Sequence, residues 1–583
     1  MTAPPRQRRR RIENAEVARI LREVGDLLEL EKANEFRVRA YRNAARSVEE
    51  LPEPVESYLD GERALTDIPG IGDDLAGKIA EIASSGTLRL MRDLRRKAPK
   101  GAVELMHVRG IGPRRARLLS DKLGIHTVKG LVRAAKGKRI RRLRGFGTKT
   151  EEAILREVAA QTSEERRVLR AVAAQYGEEL LAYLRETPRV SRAELAGSFR
   201  RCRETVGDLD ALVATDDAPG AIQRFATYPE VEAVLERGRT RAAIRLRSGL
   251  RVDLRVIPDR SFGAALHYFT GSKAHNIAVR RMGQERGLKL NEYGVFRGKR
   301  WISGRDERDM FKAVGLPWIP PELRENSGEL EAAATGALPH LITLDAIRGD
   351  LQAHTTDSDG RDTLAAMAEA AEALGYEYLA VTDHSPAVRV TGGLDAAGFR
   401  KQWRRIDALN AHLKRLTILR GVEVDIHSDG SLDLDDNTLA GFDLVLASVH
   451  SSFALDRAAQ TKRFLRAIEH RHVDILAHPT ARQIGRRAPI EFDLDAVLGA
   501  AVQAGVWLEV NAQPERLDLD DAACRRAASL GAVFVVNTDA HSTAELRFMR
   551  WGIDQARRGW VEGAKVANTW PLPRLLRSLR RSR

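Results

Sequence analysis

The chain has 583 residues, 96 Lys+Arg against 81 Asp+Glu, a formal net charge of +15 and two cysteines, Cys202 and Cys524. That length excludes a single core and implies three or four domains, the basic balance suits a polyanionic partner, and two cysteines exclude a disulfide framework and point to a reducing compartment. No apolar run approaches the ~20 residues that span a bilayer, and the early arginines lack the apolar stretch of a secretory signal, so a soluble intracellular protein without a membrane partner is expected.

From Glu13 to about Val158 the pattern is helical, punctuated by glycine turns. They are Ile68-Pro69-Gly70-Ile71-Gly72, Val108-Arg109-Gly110-Ile111-Gly112 and Leu143-Arg144-Gly145-Phe146-Gly147, each followed by an amphipathic segment. One such turn is an ordinary helix end. Three of them look like helix-hairpin-helix motifs, in which glycines let N–H groups at a helix N-terminus approach DNA phosphates irrespective of base sequence. Gly70, Gly72, Gly110, Gly112, Gly145 and Gly147 are therefore candidate DNA contacts. Basic residues between Arg6 and Arg11 and between Arg89 and Lys149 strengthen that expectation.

The next signal is Gly197-Ser198-Phe199-Arg200-Arg201, followed by Gly207-Asp208-Leu209-Asp210 and later Val252-Asp253-Leu254-Arg255. Alternation puts Asp208 and Asp210 on one face of a strand, and Asp253 lies in a second alternating run, Leu250 to Ile257, able to pair beside it. Three converging carboxylates repel one another unless cations hold them. Two hard divalent ions bridged by carboxylates are the device for in-line phosphoryl transfer. The Gly-Ser turn and the paired arginines suit a triphosphate. An isolated Asp-x-Asp is usually a solvated turn; these fixed offsets are not explained that way.

This stretch resembles the palm of family X DNA polymerases, of the nucleotidyltransferase superfamily. The resemblance implies that Asp208 and Asp210 hold two Mg²⁺ or Mn²⁺ ions and that Asp253 completes the site that activates the primer 3′-hydroxyl. It also implies that Ser198 and Arg201, in turns made by Gly197 and Gly207, bind the β and γ phosphates of a dNTP. Cys202 stands where the family usually has glycine. The segment Phe36 to Ala45 resembles the same family's N-terminal domain, with Arg37 and Tyr41 at positions that bind a 5′-phosphate. Lys78 falls at the Schiff-base position of members with lyase activity, and Asp74 where phosphate-binding members carry lysine.

A leading helix pair is expected over Ser163 to Thr187. Further on, His267-Tyr268-Phe269-Thr270-Gly271-Ser272-Lys273, Asn276 and Arg280 resemble the family's nucleotide-holding segment. There Tyr268 would face the sugar and disfavour a 2′-hydroxyl, with Phe269, Gly271 and Ser272 beside it. Asn276 would touch the base edge, Arg280 the template, and Lys273, which departs from an acidic residue of some members, would add a nucleotide contact. Trp318 to Leu323 closes the thumb, and Glu325 to Leu338, rich in Glu, Ala and Gly, reads as a linker.

Beyond Leu341, short apolar runs alternate with helical stretches, as βα units require. Many runs end in a possible metal ligand: His354 with Asp359 after it, His384, Glu423, His450, His478, and Asp539 with His541. Polar groups at the C-terminal ends of parallel barrel strands are where such folds build active sites, and a mixed His and carboxylate set suits Zn²⁺, Mn²⁺ or iron. Order and spacing resemble a polymerase and histidinol phosphatase (PHP) domain, a distorted β/α barrel with a centre of up to three metals. The resemblance makes those eight residues its ligands and leaves Gln352 where the pattern has histidine. Arg482 to Arg487 reads either as a patch for a DNA backbone or as a solvated run.

Over nearly its full length the chain resembles bacterial and archaeal family X DNA polymerases. The expected fold is multidomain: an all-α helix-hairpin-helix domain over 1–162, an α+β palm with thumb over 163–325, a linker over 326–343 and the barrel over 344–583. The resemblance implies gap-filling DNA repair, metal-dependent 3′–5′ exonuclease or 3′-end phosphoesterase activity, and processing of abasic sites. It implies gapped or nicked duplex with 5′-phosphate ends and dNTPs as partners, a monomer, and a cytoplasmic, nucleoid-associated location. Two other readings are a repair nuclease or phosphatase with an inactive palm, and a DNA end-binding scaffold. Full carboxylate and ligand sets in two places speak against both.

Overall fold

The computed structural model describes residues 14–31, 33–49, 51, 55, 57–60, 64–68, 70–98, 101–106, 108, 111–143, 145–148, 150–152, 154, 167–387 and 391–579. Gly110 and the basic run Arg6 to Arg11 lie outside the described residues.

The N-terminal part is helical. Asn14–Leu30 and Glu35–Glu49 pack through Val17, Leu21, Val24, Val38, Tyr41 and Ala45, apolar positions three and four apart that make one buried stripe. Gly72 and Gly112 are the N-caps of Asp73–Ser85 and Pro113–Leu123. At Gly70, Gly72, Gly112, Gly145 and Gly147 a methyl group would meet nothing within 4 Å. The turns thus open outward, with helix N-termini behind the first two, as a phosphate-docking surface requires.

The palm is a five-stranded sheet in the order Arg192–Leu195, Asp208–Ala214, Arg251–Ile257, Arg241–Leu246, Val231–Arg237. Arg170–Arg185 covers one face with Leu180, Leu184 and Tyr176 buried. The expected helix pair is, among the described residues, this one helix preceded by the two-residue strand Val168–Leu169, which pairs with Thr205–Val206. Helices Phe262–Thr270 and Lys273–Glu285 and the small sheet Lys289–Asn291, Gly294–Arg297, Arg300–Ser303 follow.

The stretch expected as a linker is built into the thumb. Glu329–Thr335 is a helix whose Leu330 and Ala333 join the core of Ile319, Leu323 and Phe311. Glu329, fully buried, accepts the backbone N–H groups of Asn326 (2.9 Å) and Ser327 (2.7 Å) and faces His275 Nδ1 at 2.6 Å. Glu, Ala and Gly resemble linker composition, but Leu330 and Ala333, three apart, make a buried stripe.

The C-terminal part is a nearly closed seven-stranded parallel barrel, in chain order from Gly349–Ala353 to Phe534–Asn537. A parallel bridge between Ala353 and Ala540 brings its ends together. Barrel and palm pack directly. Trp551 and Leu517 bury against Ala174, and Arg170–Asp554 (2.5 Å), Arg482–Glu204 (2.7 Å) and Arg557–Glu322 (2.7 Å) pair across the joint.

Candidate active sites

In the palm, Asp208–Ala214 runs parallel to Arg251–Ile257 with Asp210 opposite Asp253 and Asp208 opposite Arg251. The three carboxylates thus occupy one end of two adjacent strands. Burial, then Asp208, then Asp253 push the Asp210 carboxyl up to about 7. Arg251 forks Asp253, Nε to Oδ2 at 2.7 Å and Nη2 to Oδ1 at 2.9 Å. Its role was not read from the sequence, although it lies two residues before Asp253 on the same face. A carboxyl whose ionisation is opposed by burial and by two neighbouring carboxylates is a donor set that a divalent cation fits.

Gly197 has φ 61°, and a Cβ there would sit 2.1 Å from Asp210 Oδ2. The turn approaches the carboxylate this closely because Ala196 N–H donates to the Asp210 carbonyl at 2.8 Å. Gly197→Ala is therefore expected to displace Asp210 and lower primer extension by at least about tenfold, measured at saturating Mg²⁺ on a gapped primer; an unchanged rate would contradict this geometry. Cys202, buried with φ 57°, holds a left-handed conformation that glycine takes without strain.

Arg201 donates from Nη1 to the Thr270 carbonyl and lies 3.2 Å from Glu325 through Nε, whereas Arg200 turns away to Glu307 (2.6 and 2.9 Å) and Thr270 Oγ1 (2.7 Å). Glu307 also accepts Arg324 (2.6 Å) and Trp318 Nε1 (2.9 Å); burial opposes its ionisation, but Arg200 and Arg324 hold it well below the usual carboxylate range. Ser198 lies in the short helix Gly197–Arg200 and Gly207 immediately before Asp208. Tyr268 and Phe269 stack edge to face at 5.2 Å, Asn276 Nδ2 donates to the Tyr268 carbonyl at 2.6 Å, and Arg280 lines the same cleft. Ser272 caps the helix that Lys273 opens, and a methyl group on Gly271 would press on Arg201 Nη1 at 3.1 Å.

In the helical domain Arg37 is exposed and Tyr41 buried. Lys78 pairs with Asp74 and lies 5.8 Å from the Tyr41 ring. Burial lowers its pKa, but Asp74 and Tyr41 outweigh that and raise it. An ammonium so held is a poor Schiff-base nucleophile. Asp74→Asn is expected to increase borohydride trapping of Lys78 on an abasic 5′ end severalfold at pH 7.5, and a decrease would refute the restraint.

In the barrel, all eight candidate ligands lie at or just beyond C-terminal strand ends and converge. Glu423 is central: His354 Nε2 (3.3 Å) and His384 Nδ1 (3.5 Å) approach Oε2, and His450 Nε2 (3.3 Å) and His478 Nε2 (2.9 Å) approach Oε1. Asp539 is 3.1 Å from His354 Nε2, and Asp359 is 3.6 Å from His384 Nε2 and 3.4 Å from His541 Nε2. The His354 ring stacks on His384 (4.6 Å) and His541 (4.4 Å). Three overlapping donor sets result: His354, Asp359, His384 and His541; His384, Glu423 and His450; His354, Glu423 and Asp539. Burial pushes His384 down to about 3, whereas at His450 Glu423 and Asp425 outweigh burial and lift it to about 9. His354 Nδ1 and Nε2 and His384 Nδ1 are buried without a hydrogen bond. Imidazole nitrogens massed on carboxylates, unsatisfied by any proton donor, fit bound cations. His478 (φ 27°) and Asp539 (φ 51°) are strained, as residues fixed by function often are. Gln352 is buried beside this centre, its Nε2 3.5 Å from Asp539 Oδ1 and its Oε1 unpartnered.

Sequence reading missed the acids behind these ligands. Asp425 accepts the His450 backbone N–H at 3.0 Å and faces its Nδ1 at 3.3 Å. Asp383 accepts Thr355 N–H (2.8 Å) and Gln402 Nε2 (2.6 Å), and Glu509 accepts His478 N–H (2.7 Å). Such outer partners fix ligand orientation; Asp383 directly precedes His384, which was the available signal. Of the Arg482 to Arg487 run, Arg482 is buried at the palm joint, Arg486 pairs with Glu515 (2.7 Å), and Arg487 lies over the Phe453 ring at 4.3 Å.

Family models match along the chain in the same order: a helix-hairpin-helix domain over 12–88, a SAM-like helix-hairpin-helix tandem over 102–160, a DNA polymerase beta thumb over 265–325 and a PHP domain over 350–512. Helical DNA-binding hairpins, a carboxylate-bearing palm with its thumb, and a metal-ligand barrel define the PHP-containing family X DNA polymerases, and the chain belongs to that family. It is 37% identical over 560 residues to the DNA polymerase/3′-5′ exonuclease PolX of Bacillus subtilis (strain 168), covering 95% of this chain and 97% of that one. It is also 24% identical over 335 residues to DNA polymerase lambda of Rattus norvegicus (50% and 53% of the two chains), and 32% identical over 220 residues to a probable phosphatase of Shewanella oneidensis (36% and 80%). No helix among the described residues is long and apolar enough to cross a membrane.

Proposed function

We infer that the chain is a DNA polymerase that fills short gaps in DNA repair and carries a separate metal-dependent 3′–5′ exonuclease in its barrel. The observation that carries the reading is the pairing of Asp210 against Asp253 next to Asp208, together with an independent cluster in another domain, seven residues in three overlapping donor sets with His478 against their Glu423. Asp208, Asp210 and Asp253 would hold Mg²⁺ or Mn²⁺, and His354, Asp359, His384, Glu423, His450, His478, Asp539 and His541 up to three Zn²⁺, Mn²⁺ or iron ions. Divalent ions held by these residues would supply polarisation of a phosphoryl oxygen and activation of the attacking oxygen.

The residues around them bind and orient. Ser198, Arg201 and the backbone of the turn beginning at Gly197 grip the β and γ phosphates of a dNTP, and Tyr268, Phe269, Gly271, Ser272, Lys273, Asn276 and Arg280 frame its sugar, base and template. The open glycine turns of the helical domain take the phosphates of gapped or nicked duplex, with Arg37 and Tyr41 near a 5′-phosphate. The protein acts as a monomer at the nucleoid. Abasic-site processing belongs to the barrel, since Lys78 is restrained as an ammonium.

The test is a labelled primer on a short gap with Mn²⁺, with and without dNTPs. Extension with nucleotides and 3′-end shortening without them are expected; shortening alone would mean an inactive palm, and neither would mean a scaffold.

A further inference from the structure

The turn from Gly197 to Arg203, read above as the triphosphate grip, is held from outside the polymerase. Arg558 ends the barrel helix Met549–Arg558 with 3% of its side chain exposed. Its Nη1 donates to the Arg201 carbonyl at 2.6 Å and to Glu325 Oε1 at 3.1 Å, while Nη2 donates to Asp521 Oδ2 at 2.6 Å within the barrel. The same Glu325 oxygen accepts Arg201 Nε at 3.2 Å. One barrel guanidinium therefore fixes the Arg201 backbone directly and its side chain through a shared carboxylate. A second tie reaches the same turn: Arg170 donates from Nε to the Phe199 carbonyl (2.9 Å) and from Nη1 to the barrel's Asp554 (2.5 Å), and its guanidinium lies over the Phe199 ring (5.0 Å) and the barrel's Trp551 ring (5.1 Å).

The turn has reason to need such support. Gly197 and Cys202 both have positive φ, a conformation that is strained at a non-glycine residue such as Cys202. Arg201 is also crowded by two like charges, Arg558 and Arg203, which Glu325 balances. A site whose donors are aimed before the ligand arrives binds more tightly, because less ordering remains to be done.

We propose that Arg558 of the barrel is a positioning residue for the polymerase: it shapes the turn from Gly197 to Arg203 and, through Glu325, aims Arg201, so that docking of the barrel sets affinity for the incoming nucleotide triphosphate. This rests on the reading of that turn as the triphosphate grip. The contacts join two domains with separate chemistries, so a change at Arg558 moves one activity and spares the other.

The experiment uses full-length protein and measures KM and kcat for insertion of the complementary dNTP into a one-nucleotide gap, alongside shortening of a 3′ overhang without nucleotides. Arg558→Ala is expected to raise KM for the dNTP about tenfold with little change in kcat and an unchanged overhang rate, and Arg558→Lys to fall between it and wild type. Arg201→Ala is measured in parallel. If Arg201→Ala raises KM and Arg558→Ala does not, the positioning role is overturned. If Arg201→Ala itself leaves KM unchanged, the underlying reading of the turn is wrong. Should Arg558→Ala fail to fold, Arg558→Lys decides, because an ammonium cannot hold the Arg201 carbonyl, Glu325 and Asp521 together: a raised KM supports the proposal and a wild-type KM refutes it.

Discussion

Asp210→Asn is expected to abolish gap filling, by at least about 10³-fold, to leave 3′-end shortening intact, and to raise the melting temperature of the metal-free protein at pH 8. The first effect follows from removing one of the three carboxylates that would hold the palm's divalent ions. The last follows from the sign of the Asp210 shift. Its folded pKa, about 7, lies above the ordinary 3.8, so the folded state keeps a proton that the unfolded chain has released. Stability contributed by this group is therefore full below pH 3.8, declines as pH rises to about 7, and stays low above that. Asparagine carries no such penalty. For a partly exposed group the gain is about 1–3 kcal/mol at pH 8 and vanishes near pH 3.5. Mg²⁺ should raise the wild-type melting temperature and act less on the variant. Calorimetry at both pH values with an extension assay checks all of this; a variant that extends primers, or that melts lower than wild type at pH 8, would refute the assignment.

His384→Ala is expected to do the opposite to activity. Its ring nitrogens face Asp359 and Glu423, and its ring stacks on His354. Losing it takes one donor from two of the three overlapping sets, so 3′-end shortening should fall by at least about 10²-fold and bound metal per chain should drop on elemental analysis. Extension of a gapped primer should be unchanged. Loss of both activities in a folded protein would mean that the centres are not separate.

Much of the two centres was legible in the sequence because both are written on strands. Alternation placed Asp208 and Asp210 on one face, and the recurrence of histidine or carboxylate at the ends of apolar runs placed His354 through His541 on one rim of a barrel. What the sequence could not supply was register and tertiary company. Nothing local says that Arg200 serves Glu307 while its neighbour Arg201 faces Thr270 and Glu325. Asp425, Asp383 and Glu509 read as ordinary strand acids until burial shows them behind the ligands. Arg482 looked like surface charge because its partner, Glu204, is 278 positions away. The helix Glu329–Thr335 was hidden by its composition.

That helix bears on how a DNA end passes between the two centres. With Glu329 keyed into the thumb and the barrel packed on the palm, the described residues between the two centres offer no free linker on which a DNA end could be carried from one to the other. The DNA end is then expected to pass by release and recapture, so a heparin trap added after a mispaired insertion should suppress 3′-end shortening of that primer while leaving the first insertion untouched.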